Sequence, residues 1–264
     1  MELLGYVLTL LMGVSLGMLG GGGSILTVPI LVYLFQIDAV TATAYSLFIV
    51  GLTSGFGAFG KYKDGYVDFK TGVIFAVPGF MGVFLARAYL VPSLPEEIAK
   101  FSDFVLTKDA LIMLTFAVLM IVASISMMRG RKDSLEDKKP KEKKPLPIAI
   151  EGLVVGLLTG FVGAGGGFLI IPALVMFGGL PMKLAVGTSL MIISAKSLLG
   201  FLGDVMVNPD IEWLFLITLS VISIIGIYIG SYLVRFVPEK KLKFAFGVFV
   251  LVMGSFILAQ QLLS

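Results

Sequence analysis

Two glycine runs, Gly20-Gly21-Gly22-Gly23 followed by Ser24 and Gly163-Ala164-Gly165-Gly166-Gly167, are where residue type and spacing in this chain most clearly allow chemistry. Glycine accepts positive φ and lets a ligand approach the backbone closely. A glycine turn that opens a helix presents unpaired N–H groups and the positive end of the helix dipole. It can therefore hold an anion without a charged side chain. Neither run is followed by Lys-Ser/Thr, which sets aside a nucleotide loop. The competing use of glycine is close helix packing, and Gly13/Gly17, Gly156/Gly160 and Gly226/Gly230 have the spacing for it. Pro29 and Pro172 lie just beyond the runs, where kinks are expected.

Three charged side chains sit inside otherwise apolar stretches. Lys196 is the deepest, and an ammonium there should face an aqueous cavity, an anion or a partner such as Glu151. Arg87 lies near the end of its stretch, where it can snorkel or touch the same anion. Glu151, one turn into its helix, is solvated at the interface or carries a proton. Hydroxyls cluster on two further stretches: Thr41, Thr43, Tyr45, Ser46, Thr53 and Ser54, then Thr188, Ser189, Ser194 and Ser197. Such hydroxyls often bond only to their own helix. Ser46 and Ser189 stand out because they recur at equivalent positions.

The elements that position these groups follow from composition. Of 264 residues, 58% are hydrophobic and 14% charged, too few charges to coat a water-soluble globule. Cysteine and histidine are absent, which excludes disulfides, Cys/His metal sites, thiol catalysis and a Ser-His-Asp triad. No paired carboxylates replace them within the apolar stretches, so an enzyme is not expected, and no cofactor or metal is implied. Five short segments (61–70, 92–109, 129–144, 203–212 and 235–243) hold 31 of the 37 charged residues. What lies between is long enough to cross a bilayer as helix. Helices are predicted over 3–19, 24–36, 40–60, 69–91 and 109–129, then 147–163, 167–179, 183–203, 211–235 and 242–262.

A shift of 143 residues superimposes 17–60 on 160–203 without a gap, and 15 of 44 positions are identical, so the chain is a duplicated unit. The halves are 1–129 and 147–264, joined by a basic linker, 130–146, placed in the cytoplasm by its lysines. Equivalent loops carry opposite charge bias: 61–70 is basic where 203–212 has only Asp204, Asp210 and Glu212, and 235–243 is basic where 92–109 is acidic. Opposite sidedness needs an odd number of crossings per half. The expected fold is an all-α polytopic membrane protein of two inverted repeats, each of five helical segments. The first two segments of each repeat form a hairpin with a buried glycine-rich tip.

With its doubled Gly-rich segment running into Ile-Leu-x-x-Pro-x-Leu-like sequence (Gly22–Leu31, Gly165–Leu174) and its Ala-x-x-x-Ser-Leu stretch at 42–47 and 185–190, the chain resembles the sulfite exporter TauE/SafE family. That resemblance implies a permease, mostly an exporter, for small sulfur-containing anions such as sulfite, sulfoacetate and other organosulfonates. The expected site joins the amides of Gly20–Ser24 and Gly163–Gly167 with Ser46, Ser189, Lys196 and Arg87. Expected partners are the anion and the lipid bilayer of the inner cell membrane, with no nucleic acid and a homodimer left open. An anion channel and a carrier for a non-sulfur organic anion are the alternatives.

Overall fold

The structure is a computed structural model that describes residues 2–101, 104–128, 145–163, 166–176, 178–207, 211–234, 236 and 239–263. Ala164, Gly165 and most of the linker, 129–144, lie outside the described residues. The first half runs α1 (Glu2–Leu19), α2 (20–34), α3 (Ala39–Lys63), α4 (Phe69–Ser93) and α5 (Lys108–Met128). The second half runs α6 (Pro145–Val162), α7 (Gly167–Met176), α8 (Met182–Val207), α9 (Trp213–Leu233) and α10 (Glu239–Leu263). The boundaries of α1, α3 and α4 recur in α6, α8 and α9 at the offset of the repeat, to within a residue or a few. Polar residues set the starts. Asp38 accepts from the Thr41 amide at 2.9 Å to cap α3, and Asp68 accepts from the Thr71 amide at 3.1 Å to cap α4.

Five of these helices are long and apolar enough to cross a membrane. Their outward stripes carry large hydrophobics at helical spacing, such as Val73, Val77, Met81 and Leu85 on α4. A water-facing surface would not be built that way, and the chain is a multi-pass helical membrane protein. One departure lies in 92–109, expected to be a charged loop. It contains an antiparallel hairpin, β1 (Glu97–Phe101) and β2 (Phe104–Thr107), in which Lys100 faces Val105. The run Phe104-Val105-Leu106-Thr107 is β-branched and aromatic, and the flanking charges hid it. The hairpin belongs to the first half only, since α10 begins where the second half would need it.

The helices pair across the two halves. The long contacts are α1 on α9, α4 on α6, α3 on α8 and α5 on α10, and the start of α2 meets α7. Exchanging the halves converts this set of pairs into itself. Glycines permit the closest pairs: Gly13 and Gly17 meet the backbone of α9 at Ser223 and Ile227, and Gly156 meets the backbone of Gly79. Packing is thus the role of these glycines. Gly156→Ala should cost about 1–3 kcal/mol, because main chain cannot yield to a methyl group. Gly60→Ala, with nothing within 4 Å of the added carbon among the described residues, should cost nothing. Thermal unfolding of both variants in detergent separates the two cases.

Candidate functional site

Both glycine runs lie where one helix ends and the next begins. After α1, Gly20 takes φ +69° and the chain reverses through a tight 3-10 stretch, Gly20–Leu26. It returns to bring the Phe35 ring 5.4 Å from that of Tyr6 at the start of α1. A single α turn, Thr27–Pro29, then widens into a π turn over Ile30–Leu34, the irregularity expected near Pro29. In the second half the equivalent Gly163 has φ +72° and Gly166 has φ +74°, and Gly166 folds back onto Thr159 of α6. Gly20, Gly21, Gly23, Ser24, Gly163, Gly166 and Gly167 are all buried, and Gly22 lies within the 3-10 stretch. The two turns touch where Gly21 meets Gly167. Their flanks match as well: Gly20 packs on Val186, and Gly163 packs on Thr43, the repeat counterpart of Val186.

Lys196 reaches the second turn. It is 0% exposed, and its Nζ donates to Thr159 Oγ1 at 2.6 Å. A Cβ added to Gly166 would stand 2.8 Å from that Nζ, and one added to Gly79 of α4 would stand 3.9 Å from Lys196 Cδ. No carboxylate pairs with Lys196 among the described residues, and Glu151 is half-buried elsewhere on α6. The arrangement is therefore a buried amine, a hydroxyl and a glycine turn at the start of the ten-residue α7. It offers hydrogen-bond donors and no negative charge of its own.

Thr159 was not singled out from the sequence. The available signal is an asymmetry of the repeat: Lys196 replaces Thr53 and Thr159 replaces Leu16, so the second half gains two polar groups that meet. Thr159→Val should lower stability by about 1–3 kcal/mol, because it removes the acceptor that the buried Lys196 amine has among the described residues. Thr159→Ser should not, and unfolding of the two variants side by side reads the hydroxyl alone.

The other expected contacts divide. Ser189 lies two helical turns before Lys196 on the same stripe of α8, but its hydroxyl donates to Val186 O at 2.8 Å. Ser24 is likewise turned inward, donating to Gly21 O at 2.7 Å. Ser46 is fully buried with no partner for its hydroxyl among the described residues, as are Ser54 and its repeat counterpart Ser197. Arg87 does not snorkel. It is 1% exposed, its Nε donates to Asp204 Oδ1 at 2.6 Å, its Nη1 to Thr43 Oγ1 at 2.7 Å and its Nη2 to Val40 O at 3.2 Å. Asp204 was read as part of a loop, but α8 runs on to Val207 and holds it inside the protein, 11% exposed. The pair explains both: each charge made the other's burial tolerable. With its three donor groups engaged, Arg87 lies one residue removed from the second turn, bonded to the Thr43 against which Gly163 packs.

The family model of the sulfite exporter TauE/SafE matches residues 6–257. The chain belongs to that family. A probable membrane transporter protein of Xylella fastidiosa is 28% identical, with 94% of this chain and 91% of the relative covered. The Bacillus subtilis probable membrane transporter protein YunE is 27% identical, covering 98% of this chain and 97% of that one. The probable membrane transporter protein MJ0441 of Methanocaldococcus jannaschii is 34% identical over 110 residues, 39% of this chain and 41% of that one. No solved structure matches the chain. Membrane transport is the activity that the family and these relatives' names carry, and this TauE/SafE protein has the helical, multi-pass build for it.

Proposed function

We propose that this protein is a secondary carrier for small sulfur-containing anions such as sulfite, sulfoacetate or other organosulfonates, working by alternating access between inverted repeats. The observation that carries the reading is Lys196. A wholly buried amine bonded to the neutral Thr159 hydroxyl and set against a glycine turn lacks, among the described residues, the negative charge that would balance it. A sulfonate or sulfite would supply that charge and accept from Nζ, from Thr159 and from amides of the turn between Gly163 and Gly167. Gly20–Ser24 would border the anion from the other half. Ser46 and Ser189 line the helices beside it, and Arg87 takes no direct part.

The exchange symmetry of the helix pairs supports a two-fold relation between halves, and the charge bias of equivalent loops supports its axis lying in the membrane plane. The linker 130–146 would then be cytoplasmic, in the inner membrane, and transport outward is the family's usual direction. Contact between Gly21 and Gly167 favours a carrier over an open channel.

Reconstituted vesicles test this. Labelled sulfite or sulfoacetate should exchange against unlabelled anion at a slow rate that saturates. A flux that rises linearly with concentration would instead establish the channel. Exchange of a carboxylate but of no sulfur anion would overturn the substrate class.

A further inference from the structure

Lysines from both halves of the chain gather at one end of the molecule. The loop that joins α3 to α4 folds onto the start of α8. A carbon added to Gly187 would meet the Tyr66 carbonyl and stand 3.2 Å from Lys61 Cβ, and the Asp68 amide donates to Thr188 Oγ1 at 2.9 Å. Lys183 of α8 has its Nζ 5.8 Å from the centre of the Tyr66 ring, and Lys63 has its Nζ 4.4 Å from the centre of the Phe59 ring. The Tyr62 and Phe69 rings pack edge to face at 5.3 Å, and Lys70 follows Phe69 in the chain. Lys63, Lys70 and Lys183 are exposed, as are Phe59, Tyr62, Tyr66 and Phe69. The loop contributes two carboxylates, Asp64 and Asp68, and Asp68 is committed to capping α4. Phe69 also begins the outward stripe of α4 that continues through Val73, Val77 and Met81.

Three membrane-length helices have an end here, the last turn of α3 and the first turns of α4 and α8, so the patch lies level with lipid headgroups. We propose that it binds an anionic phospholipid such as phosphatidylglycerol. The phosphate sits among Lys61, Lys63 and Lys183, and an acyl chain lies along Phe69, Val73 and Val77. A soluble phosphate has no use for that stripe, and a zwitterionic lipid brings a cation of its own to a cluster of ammoniums. By bridging Lys183 to Lys61 and Lys63, the lipid reinforces the seam at Gly187 and Thr188, where the first half of the chain meets the second.

The full-length protein, purified in a neutral detergent, can be titrated with phosphatidylglycerol or with phosphatidylcholine of the same chains, and bound lipid counted by native mass spectrometry. Phosphatidylglycerol should bind about tenfold more tightly, and the preference should fade as salt is raised toward about 1 M. Lys63→Gln and Lys183→Gln should each weaken phosphatidylglycerol about fivefold and leave phosphatidylcholine unchanged. Lys183→Arg, which keeps the charge, should bind as the wild type does. Both positions are exposed, so thermal unfolding of the lipid-free variants should match the wild type. Glycerol phosphate, the headgroup chemistry without chains, should not compete. Equal binding of the two lipids, or an undiminished preference in both glutamine variants, would overturn the site. Competition by glycerol phosphate as effective as that of the lipid would make it a phosphate site and overturn the lipid.

Discussion

Lys196→Met is expected to give a protein that is more heat-stable than the wild type without ligand and no longer responds to anions. The amine is completely buried, and its polar contact is the Thr159 hydroxyl. Methionine fills the same volume with nothing to desolvate. Replacing buried charged groups by apolar ones of similar size often stabilises by about 1–4 kcal/mol. Thr159 keeps a bond of its own to Gly156 O at 3.3 Å, so little is orphaned by the change. Thermal unfolding with and without sulfoacetate measures both effects at once. Activity held at the expense of stability is the pattern of a functional site. A variant less stable than wild type would make Lys196 a structural strut. A variant that still binds the anion as the wild type does would remove it from the site. Arg87→Met should do the reverse, destabilising by about 3–5 kcal/mol because Asp204 is left buried and unpaired.

Gly163→Ala should be the most damaging methyl group that can be added to either turn. Two costs combine there. The backbone has φ +72°, where a side chain costs about 1–2 kcal/mol. The new carbon would also fall on the backbone of Thr43, which cannot swing aside as a side chain can, adding about 1–3 kcal/mol. Gly65→Ala isolates the first cost, since Gly65 has φ +77° but nothing within 4 Å among the described residues. Gly20→Ala is intermediate: φ is +69°, but its neighbours are the ends of Val186 and Ile171, which can give. The expected order of destabilisation is Gly163, then Gly20, then Gly65, read by thermal unfolding. Equal losses at all three would mean that backbone strain, and not the seat on Thr43, is what the turn depends on.

The parts of this molecule that were legible in the sequence are those written in local pattern. Hydropathy located the membrane-length helices, and the glycine runs marked the places where the backbone takes positive φ, at Gly20 and Gly163, which leaves few other residues eligible. What was illegible depends on contacts between distant segments. Arg87 read as a snorkelling side chain because its partner lies 117 residues away on a helix expected to have ended. The π turn around it also breaks the 3.6-residue period on which any facing argument relies. Thr159 is one hydroxyl in an apolar helix, and only the fold shows that it meets Lys196. The β hairpin was masked by the charges that surround it.

The most direct test of the central claim is anion binding by the purified wild-type protein, followed as thermal stabilisation across sulfite, sulfoacetate, taurine, other sulfonates, sulfate, carboxylates and neutral analogues. Anionic sulfur compounds at about 100 times their dissociation constant should add roughly 2.7 kcal/mol. Neutral analogues should add nothing, and Lys196→Met should abolish the gain. Stabilisation by a carboxylate or a cation in place of the sulfur anions, or an undiminished gain in Lys196→Met, would contradict a sulfur-anion site built on Lys196 and the second glycine turn.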